Sequence, residues 1–360
     1  MRSPFTIALA NVPMFGQVSH AKLLATFTTA EDAWRANRNE LLSTGIEPKR
    51  IDAFIAWRNS QRLESFIESI DREHIRVIGK DDLEYPPLLA QIFDPPAYLF
   101  VRGASLLSKS PIAMVGSRHC TKYGRDTAQK LANDLATGGL SIVSGGAYGI
   151  DQAAHEGAMT AKGHTIAVLA SGLLGADNSK HIELLNKILV ANGTIISEFP
   201  LIAPPQPHCF PLRNRIVSGM CKATIVVEAA LASGSMITAS AATRENREVC
   251  AVPGNISSPT SAGTNWLVKT GAHCITEAQD IFLLYGMNVA PNASATAVLP
   301  PGRSTNEQAL FSVLSAEPLH IDSAAERAQL SPSAASAAAT QLEILGIIRD
   351  IGGNHFVVGR

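Results

Sequence analysis

Cysteine is scarce in this 360-residue chain, with five residues at Cys120, Cys209, Cys221, Cys250 and Cys274. They are scattered, odd in number, and never stand as C-x-x-C, so neither a zinc knuckle nor a disulfide framework is expected. Long apolar runs are lacking too, and no stretch approaches the length needed to span a bilayer. The opening "MRSPFTIALANVPMFGQ" has a short apolar segment without the cleavage site of an export signal, so the expected location is the cytoplasm. An excess of charge is also missing: 30 Lys and Arg stand against 31 Asp and Glu, a formal net charge of −1. A protein that coats nucleic acid indiscriminately is usually basic overall. Any nucleic-acid contact must therefore come from a local basic site. There is no internal repeat, no Walker loop and no G-x-G-x-x-G. The segment "GASLLSKS" (103–110) lacks the second glycine of a phosphate loop. No His–Asp–Ser order, paired carboxylates or cofactor-binding lysine stands out, so no catalytic set, cofactor or metal is expected.

The composition is that of a globular protein, 46% hydrophobic and 17% charged. Its length allows two or three domains. Residues 1–80 carry helical patterns, "SHAKLLATF", "AEDAWRANRNELLSTG" and "PKRIDAFIAWRNSQRLESFIESI", and read as a small helical domain. Over 81–285 short apolar strands alternate with helices. The strands are "IAMVGS", "LSIVSGG", "TIAVLAS", "TIISEF", "ATIVVEAA" and "EVCAVPG". Strands apolar on both faces and separated by helices imply a doubly wound parallel α/β sheet covered on both sides. Residues 286–303 read as a linker. Residues 304–360 read helix, helix, helix and hairpin, the order of a winged helix. Residues 303–360 hold four Lys/Arg against six Asp/Glu. That balance disfavours a duplex-groove reader and suits packing or protein contact.

Ligands of open parallel sheets bind outside the C-terminal strand ends, so each strand exit is a candidate site. The first exit places Gly116 and Ser117 before Arg118, a guanidinium suited to gripping a phosphate. Lys122 and Arg125 follow, with no acid between Val115 and Arg125. The second exit, "VSGGAYGIDQAAH", places Ser144, Gly145 and Gly146 ahead of a helix. This is either a plain tight turn or a backbone cradle for an anion. Asp151 and His155 share one helix face there. Two ligands are too few for a metal, so capping or packing is expected. A third segment, "HCFPLRNRIVSGMCKA", sits in a stretch from Phe199 to Val227 without an acid. Phe210 with Arg213, Asn214 and Arg215 suits a sugar-phosphate backbone with a base stacked on the ring. The competing reading makes Phe210 core and pairs the arginines with acids elsewhere. Ser233, Gly234 and Ser235 precede a helix and form another candidate anion site. Glu228, at a strand end, is a general-base candidate without an evident partner.

Together these segments resemble the DNA-processing protein A family (DprA/Smf). The motifs are "DLEYPPLLAQIFDPPAYLFVRG", "VGSR", "SGGAYGIDQAAHEGA", "FPLRNRIVSG", "VVEAALASGSMITASAA", "AVPGN" and "SAGTNWLVKTGA", in that order over most of the chain. The resemblance implies an extended Rossmann-like core used without a dinucleotide. It also implies an N-terminal domain of the sterile-alpha-motif or helix-hairpin-helix kind, and a C-terminal winged helix. It further implies a cytoplasmic homodimer, not an enzyme, that binds single-stranded DNA, loads the RecA recombinase and supports natural transformation. By position, Arg118 falls on the family's DNA-gripping arginine after Gly-Ser. Ser144 to Gly146, and Phe210 with Arg213 to Arg215, fall on its pocket motifs. Where the family has Tyr-Pro before a basic residue this chain has "ADNSKH", with Lys180 as the candidate charge. The N-terminal turn "NVPMFGQ" has Met14 where a first glycine would bring backbone to phosphate. The alternative function is a nucleoside-monophosphate hydrolase related to phosphoribohydrolases, with Glu228 and the Ser233–Ser235 turn as its site.

Overall fold

The structure is a computed structural model. It describes residues 2–13, 15–60, 62–107, 110–175, 179–287, 299, 302–315 and 318–358. Most of the expected linker, Met14 and residues 176–178 of "ADNSKH" lie outside the described residues. The chain divides into two compact units, 1–289 and 290–360.

Six short helices open the first unit: α1 (Pro4–Ala10), α2 (Gln17–Thr26), α3 (Ala30–Arg35), α4 (Arg38–Ser43), α5 (Pro48–Ser60) and α6 (Leu63–Arg72). The pattern "AEDAWRANRNELLSTG" is cut in two because Asn37 caps a new helix. Glu40 N donates to Asn37 Oδ1, and Asn37 N donates back to Glu40 Oε2. Then come β1 (Ile75–Gly79), β2 (Tyr98–Gly103), β3 (Pro111–Val115), α7 (Lys122–Thr137), β4 (Ser141–Ser144), α8 (Ile150–Thr160) and β5 (Thr165–Val168). They are followed by α9 (Ser179–Val190), β6 (Thr194–Ser197), α10 (Cys209–Gly219), β7 (Ala223–Val226), α11 (Gly234–Arg244) and β8 (Glu248–Ala251). The unit ends with α12 (Ala262–Lys269), β9 (His273–Cys274) and α13 (Ala278–Leu284).

The nine strands form one sheet in the order β1-β2-β6-β5-β4-β3-β7-β8-β9. From β6 to β9 all neighbours are parallel. β1 and β2 extend that edge antiparallel, a feature the helix–strand alternation did not announce. Alternate residues of each strand feed opposite faces. Ala113, Val115, Val143 and Val226 pack with Ile216 and Val217 of α10, Ala239 of α11 and Leu267 of α12. Ile112, Met114, Ile142 and Ile225 pack with α7, α8 and α13 through Leu131, Ala154 and Ile281. This is the doubly wound, Rossmann-like arrangement expected. Order reverses at β3, which pairs with β4 on one side and β7 on the other, so a crevice is expected at their C-terminal ends. Ile225 is fully buried in the second layer. Ile225→Ala is expected to cost about 2–5 kcal/mol of stability, read by urea unfolding.

The N-terminal helices share a core with the sheet edge. Ile7, Ala10 and Ile70 pack with Ile75, Tyr98 and Phe100. Among the described residues no helix is long and apolar enough to cross a membrane. The second unit comprises α14 (Thr305–Val313), β10 (Leu319–His320), α15 (Ile321–Arg327), α16 (Pro332–Ile344), β11 (Ile348–Asp350) and β12 (His355–Val358). Its sheet order is β10-β12-β11, a winged helix with one strand more than the expected hairpin.

Candidate nucleic-acid interface

The glycine turn after β4 is shaped first by packing. Gly149 has φ +82°, and a Cβ there would run into Ser117 O and lie 2.7 Å from Arg118 O. The loop leaving β3 crosses that point, and Ile150 N donates to Ser117 O at 3.2 Å. A Cβ on Gly145 would meet the Arg213 guanidinium at 2.5 Å. Gly145 N and Ala147 N donate to Asp151 Oδ2 at 3.1 and 3.4 Å. The protein thus supplies its own anion to the turn, and the backbone cradle expected at Ser144–Gly146 is filled from within. Ser144 is buried and donates to Met114 O, while Gly146 has φ +67° and shapes the turn.

Beside this turn lies a cavity of about 510 Å³ at the exits of β3, β4 and β7. Gly116, Ser117 and Arg118 line it from β3, and Gly145 from β4. Phe210, Arg213 and Asn214 line it from α10, and Ser233, Gly234 and Ser235 from the start of α11. Ten of the candidate DNA-contacting residues therefore converge, with Asp151 beside them. Ser144, Gly146, Lys180 and Arg215 do not line the cavity.

Arg118 is exposed, and its guanidinium lies 4.6 Å from the centroid of the half-buried Phe210 ring. It makes no ion pair with any described residue. Phe210 belongs to none of the hydrophobic core clusters. The α11 end is capped by Ser233, whose Oγ lies 2.8 Å from Ser235 Oγ. Its helix dipole adds a partial positive charge to the cavity wall.

The other two arginines are struts. Arg213 is buried and donates to Gly145 O at 2.6 Å, to Val168 O, and to Asn214 Oδ1 at 3.1 Å. Burial pulls its pKa down to about 10, Asp151 opposes this, and the charge of Arg118 adds to it. Burial pushes the Asp151 carboxyl up, against the pull of Arg213 and the turn N–H groups. Arg215 pairs with Glu198 and with Asp94, the latter at 3.4 Å. It ties α10 to the end of β6 and to the loop before β2, and is no phosphate ligand here. Acids from outside the acid-free stretch thus face both of its arginines, while its Lys222 donates to Leu284 O. Lys180 sits at the start of α9, away from the cavity lining.

Glu228, the general-base candidate, is 1% exposed. It accepts from Thr121 Oγ1 at 2.6 Å and from Thr121 N, at the N-terminus of α7. It does not line the cavity. Its partner is a helix start rather than a reacting group. Among the described residues, no three His, Cys, Asp or Glu side chains could together hold a metal ion. His119 and Thr238 also line the cavity and were not singled out from sequence. Thr238 lies one helical turn beyond Ser235, a periodicity that could have pointed to it.

His155 is fully buried, with Nδ1 2.7 Å from Thr165 Oγ1, whose hydroxyl donates to Ile142 O. Burial lowers its pKa from 6.5 to about 3, with Arg213 and His181 adding. Between those values only the unfolded chain takes the proton. Stability should therefore fall as pH drops from about 6.5 toward 3, by up to about 1.4 kcal/mol per pH unit. Urea unfolding at stepped pH checks this. Burial lowers His20 and His164 as well, so His155→Gln should flatten the slope without abolishing it.

The chain matches the family model described as DNA recombination-mediator protein A over residues 76–286, and that of the DprA winged helix domain over 294–354. It is 36% identical to Protein Smf of Escherichia coli K12 over 321 residues, 88% of this chain and 86% of that protein. DNA processing protein A of Streptococcus pneumoniae superposes with a TM-score of 0.64 at 30% identity, covering 78% of this chain and 98% of that one. DNA processing protein A of Helicobacter pylori, whose structure was described for its single-stranded DNA binding mode, gives a TM-score of 0.53 at 30% identity. It covers 59% of this chain and 97% of that one. With a family match across more than half of its length and a relative of that identity over most of it, this chain belongs to the DNA recombination-mediator protein A (DprA/Smf) family.

Proposed function

We propose that this chain binds single-stranded DNA in the cavity at the β3, β4 and β7 exits and acts as a recombination mediator. The observation that carries the reading is the Arg118–Phe210 pair. It sets an exposed cation beside an aromatic face, the two groups that a nucleotide's phosphate and base require. The start of α11 supplies a further electropositive wall. The Helicobacter relative supports the choice of single-stranded over duplex DNA. We extend the reading to a cytoplasmic homodimer that loads RecA and supports natural transformation, as the family resemblance implies. The role is one of binding rather than catalysis, since the Glu228 carboxylate is spent on capping α7. Incubation with nucleoside monophosphates tests the hydrolase alternative, which requires turnover. Light scattering tests the dimer, and RecA ATPase activity on single strands with and without this protein tests loading.

The central test is single-strand affinity as a function of salt. Arg118→Ala should weaken binding to every sequence, because phosphate carries no sequence information. It should also reduce the log–log salt slope by roughly 0.7, the loss of one neutralised phosphate. The melting temperature should hold, because the side chain is exposed. Unchanged affinity and slope would remove Arg118 from the interface.

A further inference from the structure

A second cavity, of about 650 Å³, opens at the exit of β8 beside the start of α7. It is lined by Thr121 and Tyr123 and by Gly254, Asn255, Ser258 and Thr260. No charged side chain lines it. Tyr123 is 53% exposed, and its hydroxyl donates to Pro253 O at 3.0 Å, which holds the ring across the groove. Asn255 is exposed, and its Oδ1 accepts from Ser257 N and Ser257 Oγ, which leaves the amide NH₂ available as a donor. Ser258 Oγ and Thr260 Oγ1 lie 2.8 Å apart and share one hydrogen bond, which leaves one O–H and several lone pairs for a ligand. An aromatic face, an amide donor and paired hydroxyls without charge describe a site for an uncharged, planar, hydrogen-bonding group. That is a nucleobase and not a phosphate.

The loop after β3 joins this cavity to the first. Arg118 lines one and Thr121 the other, three residues apart, so their Cα atoms are at most about 11 Å from each other. A strand stacked as in a duplex advances about 3.4 Å per nucleotide, so a few nucleotides cover that interval. Lys122 stands in the chain between Thr121 and Tyr123, which both line the second cavity. Lys122 makes an exposed pair with Asp126, which a phosphate can displace at little cost.

We propose that the Tyr123–Asn255 cavity is a second nucleobase subsite, receiving a base of the same single strand whose phosphate meets Arg118. The inference rests on the single-strand reading above. It is tested on the full chain with thymidine strands of increasing length. Tyr123→Ala should lose about five-fold or more of the affinity gained on lengthening the strand, the scale of one stacked base. Affinity for the shortest binding strand and the salt slope should hold, since no phosphate contact is removed. Tyr123→Phe keeps the stacking face but loses the bond to Pro253 O, and should keep most of the gain. In the wild type, strands carrying 5-iodouracil should cross-link by light to the peptide containing Tyr123 or to residues 253–261, located by mass spectrometry. This readout is independent of how any variant folds. An unchanged length dependence in Tyr123→Ala, or cross-links confined to the Arg118–Phe210 cavity, would overturn the subsite and leave the first site standing. Failure of the wild type to bind any single strand would overturn the underlying reading instead.

Discussion

Arg213→Ala is expected to destabilise the protein by about 3 kcal/mol or more and to abolish DNA binding with it. The buried guanidinium links Gly145 O, Val168 O and Asn214 and stands opposite the Asp151 carboxylate. Removing one partner of a buried charge pair typically costs about 3–5 kcal/mol, because the other is left uncompensated. Two backbone N–H groups still hold Asp151, so the loss belongs at the lower end. The deficit should also depend on pH with a definite sign. Without Arg213 the Asp151 pKa rises further in the folded state, so its penalty is fully present above that pKa. It is relieved as falling pH protonates the group. Urea unfolding of both proteins at neutral and acidic pH should show the gap narrowing. Arg213→Lys should be intermediate, keeping the charge but losing the planar fork that reaches two carbonyls. A fully stable Arg213→Ala that fails only in DNA binding would make Arg213 a ligand and not a strut.

Phe210→Ala is expected to weaken single-strand binding by about 1–3 kcal/mol, roughly 5- to 150-fold, if one base stacks on the ring. Its folding stability should change little by comparison, because the ring is half-buried and outside the core clusters. The ring is also the platform on which Arg118 rests. The double variant Arg118→Ala/Phe210→Ala should therefore lose less than the sum of the single losses. Additive losses would mean that the two side chains serve different nucleotides. A loss of stability matching the loss of binding would place Phe210 in the core after all.

Much of the fold was legible because a sheet buried on both faces writes itself as short apolar runs. All six core strands from "IAMVGS" to "EVCAVPG" occur as β3 to β8. β1, β2 and β9 were not legible. β9 has two residues, and β1 with β2 pair antiparallel outside the helix–strand rhythm. At the site, the convergence of Arg118, Phe210 and Ser233–Ser235 followed from chain order and the rule of strand exits. What each polar group is spent on did not follow. The acid-free run around Arg215 says nothing of Glu198 and Asp94, which folding brings to it from other segments. The capping or packing role expected of Asp151 fits its bonds from Gly145 N and Ala147 N, but the glycine turn did not reveal that these are the N–H groups an outside anion would have needed.

The antiparallel β1 bears on how far the N-terminal region can be trimmed. A fragment beginning at residue 81 would lose the backbone partner of β2 along Tyr98 to Arg102. Leu99, Phe100 and Val101, all fully buried, would then flank an unpaired row of N–H and C=O groups. Such a margin is a template for a second copy, and aggregation rather than unfolding is its expected fate. Keeping β1 while removing α1 to α6 only moves the problem, since Ile75, Tyr98 and Phe100 lose the cover of Ile7, Ala10 and Ile70. The opening helices thus serve as a guard on the sheet's outer margin, whatever else they bind.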